Sequence, residues 1–239
     1  MGMNFGSFAR VLGPIVAIGL AAALAGCDGA KVTFDGEQGK PLEELDLTGA
    51  APTGVALLGP DTVRITRGDT LTIRIDGDPE AASAMRFTLK DGKLGILRKD
   101  GNWGRDKAVS VNVTLPALSE IAAMGSGSVS ADRIGGKASV SIGGSGSVET
   151  AVVEAESLEL SIAGSGSYRG AGAAKALELS IAGSGSAEME GLRVDSADIS
   201  IAGSGNARFA SDGKVKASMV GSGEVRVKGR ATCTVSAVG

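Results

Sequence analysis

Histidine is absent from this 239-residue sequence, and with it go the commonest general base and the commonest metal ligand at neutral pH. Cysteine occurs twice, at Cys27 and Cys233, too few for a thiolate zinc site. The side chains left for chemistry are carboxylates, lysines, arginines, hydroxyls and one indole. Three carboxylates, Glu159, Glu178 and Asp198, return at intervals of 19 and 20 residues. They read as a solvated acidic stripe, with a weak divalent-cation site or a contact surface for a cationic partner as the sharper alternative. Trp103, in Gly101-Asn102-Trp103-Gly104, reads as a packing residue, with stacking on a sugar ring as the alternative. Arg67-Gly68-Asp69 reads as a turn between strands rather than an attachment tripeptide. No catalytic residue, cofactor or bound metal is expected from this inventory.

The spacing of the carboxylates belongs to a larger pattern that positions them. Gly-Ser-Gly occurs at Gly125, Gly144, Gly164, Gly183, Gly203 and Gly221, with steps of 19, 20, 19, 20 and 18 residues. A regular period of this size is the signature of stacked repeats. Six, four and two residues before the first glycine stand Ala138, Val140, Ile142; Leu158, Leu160, Ile162; Leu177, Leu179, Ile181; and Ala197, Ile199, Ile201. Between them stand Ser139 and Ser141, Glu159 and Ser161, Glu178 and Ser180, Asp198 and Ser200. Such strict alternation describes a strand with one face buried, because successive strand side chains point to opposite sides.

A weaker alternation follows the glycines, in Val129/Ala131, Val148/Thr150, Ala187/Met189, Ala207/Phe209 and Val225/Val227. Each repeat is therefore one coil with at least two strands, turned at Gly-Ser-Gly where positive φ is needed. Coils of one sense and one period stack their strands in parallel about 4.8 Å apart. The predicted fold is all-β: a parallel β-solenoid, a single-stranded β-helix expected to be right-handed, with 19–20 residues per coil. The acidic stripe then points outward.

Composition agrees with a narrow tube. Glycine supplies 38 of the 239 residues and aromatic residues only 3%, and the glycine lacks the triplet period of collagen. Net charge is −3 without a basic run or stripe, so no electrostatic footprint for nucleic acid is present.

The beginning of the sequence reads as an address. Val11 to Leu24 is an apolar run of 14 residues followed by Leu24-Ala25-Gly26-Cys27, too short to span a bilayer and suited to a signal peptide. This tetrapeptide resembles the lipobox of bacterial lipoproteins. The resemblance implies removal of 1–26, lipid on Cys27 and membrane attachment in the bacterial cell envelope, expected to face the periplasm. Asp28 follows the cysteine, as in inner-membrane lipoproteins of enteric bacteria; inner and outer membrane both stay open. With Cys27 lipidated, Cys233 has no intramolecular partner and reads as a small buried residue in phase with Val235, with a reactive or intermolecular thiol as the alternative.

Residues 27–44 read as the lipidated N-terminus and a flexible spacer, and 45–239 as a single domain. Within it, 45–118 form cap strands without the glycine phrase and 119–239 form the coils. Val63–Ile65, Leu71–Ile75, Phe87–Leu89 and Val109–Val113 alternate as strands, with turns at 67–69, at Gly77-Asp78-Pro79 and at Asp91-Gly92. At the far end Arg226, Lys228 and Arg230 are the charges available to discourage edge pairing.

The lipobox, the strand-rich lead and the recurring Gly-Ser-Gly-Ser/Asn/Glu from Leu45 to Gly239 resemble the head GIN domain family of auto-transporter adhesin-like proteins. The resemblance implies a β-solenoid of the bacterial envelope; no translocator barrel follows the repeats in this sequence. The leading expectation is a non-catalytic envelope lipoprotein that binds glycan or envelope protein or serves as a structural element. Self-association through the solenoid ends is a second reading. A polysaccharide-active β-helix enzyme is a third, disfavoured because coil lengths vary by only two residues and leave no long loops for a grafted site.

Overall fold

The computed structural model describes residues 33, 34, 36–99 and 109–239. Cys27 and Trp103 lie outside the described residues. Fourteen strands form one sheet that winds into a parallel β-solenoid of about 6 turns. The regular coils are built from β7 (Glu120–Gly125), β8 (Ser128–Gly144), β9 (Ser147–Gly164), β10 (Ser167–Gly183), β11 (Ser186–Gly203), β12 (Asn206–Val220), β13 (Glu224–Lys228) and β14 (Thr232–Val238).

Register follows the glycine phrase. Ile142, Ile162, Ile181 and Ile201 are paired in consecutive coils, as are Val140, Leu160, Leu179 and Ile199, and all eight are buried. The first glycine of each phrase has φ between 102° and 122°. A Cβ at Gly144, Gly164 or Gly183 would stand 2.5 Å from the first-glycine carbonyl of the preceding coil. That carbonyl is occupied, because the serine N–H above it donates to it at 2.9 Å in Ser165 to Gly144, Ser184 to Gly164 and Ser204 to Gly183. The second glycine makes room for the core: a Cβ at Gly166, Gly185 or Gly205 would meet Cγ2 of Ile142, Ile162 or Ile181 at 2.5 Å. The corner is thus a hydrogen-bonded part of the ladder, and its glycines are needed for both conformation and space.

After the corner the inward column trades volume between neighbouring positions. Val148, Tyr168, Ala187 and Ala207 stack in one column, and beside it Thr150 pairs with Gly170 and Met189 with Phe209 on either side of a register shift after Arg169. Tyr168 is fully buried, and a Cβ on Gly170 would come within 2.7 Å of its hydroxyl. This exchange explains why the alternation after the glycines is irregular in the sequence at this coil.

The lead is more intimately woven than a cap laid on a ladder that starts at 119. Its elements are β1 (Gly54–Leu58), β2 (Thr62–Arg67), β3 (Thr72–Gly77), α1 (Pro79–Ser83), β4 (Met85–Lys90), β5 (Lys93–Arg98) and β6 (Val109–Leu115). β1 and β2 form a coil in parallel register with β7 and β8, in which Gly59-Pro60-Asp61 takes the place of Gly-Ser-Gly. On its other side the same coil pairs with β5 and β6. The antiparallel strands β4 and β3 then close that end on β5 and β6.

Part of the expected spacer is also docked. Phe34 is buried with Ala56, Leu58, Leu97 and Ala122 on the outer side of β1, β5 and β7, and Lys40 forms an antiparallel bridge to Phe87 on β4. Covered inside by the core and outside by this arm, β1 is buried at all five positions. Among the described residues no helix is long and apolar enough to cross a membrane.

Candidate functional site

The outward column five residues before each glycine brings the predicted carboxylates together. Glu178 is in register with Glu159 on one side and Asp198 on the other. Burial and then the neighbouring Glu178 carboxylate push the Glu159 carboxyl above its ordinary value, as expected for like charges one strand apart. The column is bounded by Ser139 at one end and Lys216 at the other, with Lys216 Nζ 3.8 Å from an Asp198 carboxylate oxygen. Among the described residues no group of three or more Asp, Glu or Cys side chains could hold a metal ion. The stripe spreads its carboxylates along the axis instead of converging them.

Beside the stripe lies a column of Ser157, Ala176, Ser196 and Lys214, whose small members leave a depression. The two columns line a shallow groove of about 730 Å³. It runs across five coils, changes from acidic at Glu159, Glu178 and Asp198 to basic at Lys214 and Lys216, and ends at Thr232 and Thr234. The lysines carry a signal that alternation hides: they occupy the outward phase of β12, but only the coil register shows that they continue the acidic column. On the other outward side of this strand Ser141, Ser161, Ser180, Ser200, Ser218 and Ser236 are paired coil to coil. The face thus offers repeated hydroxyls and charges at the strand spacing, suited to multipoint contact with an extended or polymeric ligand.

A second groove, of about 510 Å³, follows the glycine corner. Glu149, Arg169, Glu188 and Arg208 alternate in sign along it, and Arg169 Nε donates to Glu188 at 2.9 Å. Opposite charges in adjacent coils neutralise one another here, so this column contributes to stacking. Beneath it burial pushes the Tyr168 hydroxyl above its usual range, partly offset by Thr150.

Sequence reasoning missed a buried ion pair. Arg98 Nε and Nη2 donate to the Asp61 carboxylate at 2.8 and 2.5 Å, and the Val109 N–H donates to the same carboxylate at 3.1 Å. Both side chains are almost fully enclosed, and the Asp61 hydrogen bonds raise the pKa of Arg98. Asp61 holds the corner position that a glycine fills elsewhere, and the pair joins β5, β6 and the β1–β2 corner. Only the missing glycine at that position hinted at it.

Cys233 requires a correction. It was expected to be buried; it is exposed, as is Val235 at 58%. The phase is inward, since Cys233 and Val235 stack on buried Val215 and Ala217, but no described coil lies beyond β14 to cover them.

Comparison with known proteins places the fold. The structure is similar to a crystal structure from Parabacteroides distasonis described as a "putative lipid binding protein", with a TM-score of 0.64 and 20% identity over 80% of this chain and 90% of that one. It is similar to a "putative adhesin" from Bacteroides fragilis at TM-score 0.61 and 16% identity, covering 79% of this chain and 93% of that one. A "putative adhesin" from Parabacteroides merdae gives 0.60 and 20%, covering 80% and 90%. No curated protein matches the sequence. Residues 51–231 match the family model described as "Putative auto-transporter adhesin, head GIN domain". With most of its length inside that match, this chain belongs to the head GIN domain family.

Proposed function

We propose that this chain is a lipid-anchored, non-catalytic binding protein of the bacterial envelope, in which Cys27 supplies the anchor and the solenoid supplies an adhesive face. The observation that carries the reading is the groove over β9 to β12 and β14. It has an apolar floor of Leu158, Leu177, Ala197 and Val215, beside which a strip of polar groups is spread along the axis of a rigid ladder, with charge running from acidic to basic. An enzyme site would gather its groups around one reacting atom; this strip distributes them. A glycan chain or an extended envelope peptide carrying positive charge at one end fits such a strip, and Trp103 is a further candidate for stacking on sugar.

The adhesin descriptions of the family and of two structural relatives support a binding role, and the lipid-binding description of the third is compatible with one. The test is an array of envelope glycans and peptides probed with the wild type and with Glu159→Gln/Glu178→Gln/Asp198→Asn. Retention on a ligand class that falls about tenfold or more in the triple variant is expected, since several charged contacts would be lost together. Equal retention by both proteins would remove the acidic face from the account. Release of cleaved glycan would replace binding by catalysis.

A further inference from the structure

The two ends of the ladder are finished differently. On the outer edge of β4, Lys40 and Phe87 exchange backbone hydrogen bonds at 2.9 and 2.8 Å, and α1 lies against β3. At the opposite end β13 and β14 each pair with β12 and, among the described residues, with no strand on their other edge. Cover is lost there too: the inward-phase Val225 and Val227 are half-buried, and Val235, stacked on buried Ala217, is 58% exposed. β14 is seven uncharged residues with neither glycine nor proline, an unguarded edge of the kind that attracts strand pairing.

The charge order of β13 decides what fits this edge. Glu224, Arg226 and Lys228 point outward and Val225 and Val227 inward. In antiparallel pairing with a second β13 centred on Arg226, each Glu224 lies opposite Lys228 of the other copy, and each Val225 opposite Val227. The one like-charge encounter, Arg226 with its counterpart, is softened because Arg226 Nε already donates to Glu224 of its own chain at 2.8 Å. Three charges of one sign would repel a copy of themselves; this order is self-complementary. At the other end Lys40 occupies part of the β4 edge and β3 pairs with β6 alone among the described residues, so it is the charge order of β13 that favours a like edge over head-to-tail stacking.

We infer that a second copy of this chain docks on β13 and β14, giving an isologous tail-to-tail dimer with the two capped ends outermost. The inference goes beyond the proposed function, since it stands on the last coils and not on what the acidic face binds.

Sedimentation equilibrium of the full chain in density-matched detergent micelles tests it. The wild type should show a monomer–dimer equilibrium. Lys228→Glu sets like charges against each other twice and should raise the dimer Kd by about tenfold or more, and Val235→Lys should weaken the dimer similarly. The charge exchange Glu224→Lys/Lys228→Glu should restore self-association while failing to pair with the wild type. A monomer at every concentration, open-ended growth, or a dimer indifferent to both single variants would overturn the inference.

Discussion

At Gly183 the backbone has φ 120°, and an added Cβ would lie 2.5 Å from the Gly164 carbonyl. Gly183→Ala should therefore combine conformational strain of about 1–3 kcal/mol with a clash that the ladder cannot relieve without breaking register. Chemical denaturation should show a larger loss than Ala182→Gly, an exposed neighbour. Two residues earlier, Ile181 is buried between Ile162 and Ile201, and Ile181→Ala should cost about 2–5 kcal/mol. A variant as stable as the wild type would show that the inward phase is wrongly assigned. Glu159 is a residue whose charge opposes folding. Its folded pKa is raised by burial and then by Glu178, so the folded state binds the proton more tightly, and stability falls as pH rises from the ordinary glutamate value through the folded one. Glu159→Gln should raise the melting temperature at neutral pH and lose that advantage below the ordinary carboxylate range. A constant difference at both pH values would contradict this sign.

At the scale of elements, the coils were legible in the sequence because each strand keeps one face in water, which preserves the period of two from Ala138 to Ile201. β1 and β5 were not. Val55 and Leu57 face the core while Ala56 and Leu58 face Phe34 and Leu97, so no polar phase survives to mark a strand. α1 was hidden by reading Gly77-Asp78-Pro79 as a turn. Asp78 is instead an N-cap that accepts from the Glu80 and Ala81 N–H groups at 3.0 Å, with proline at the first helical position. The acidic stripe was legible from its period, whereas its basic continuation at Lys214 and Lys216 depended on register. In the lead, Asp61 and Arg98 join elements distant in sequence. Arg98→Met leaves the Asp61 carboxylate buried without its ion partner and should destabilise by about 3–5 kcal/mol. A negligible loss on thermal or denaturant unfolding would contradict the structural role of the pair.

Across the whole molecule, each coil contacts only its neighbours, so stability is close to a sum of coil and interface contributions. Protection from hydrogen exchange should accordingly be greatest in β8 to β11, stacked on both sides, and least in β13 and β14. The docked arm at Phe34 places the N-terminal side of the described chain at the capped end, away from the open coil. In the proposed reading, a lipid on Cys27 would then hold the chain from the side opposite the open coil. The measurement that bears most directly on this tethered-binder account is detergent phase partitioning of the full chain and of Cys27→Ser, each checked for its thermal transition. The wild type should enter the detergent phase through its lipid, and Cys27→Ser should remain in the aqueous phase with an unchanged transition. Cys27→Ser found in the detergent phase to the same extent as the wild type would contradict the account.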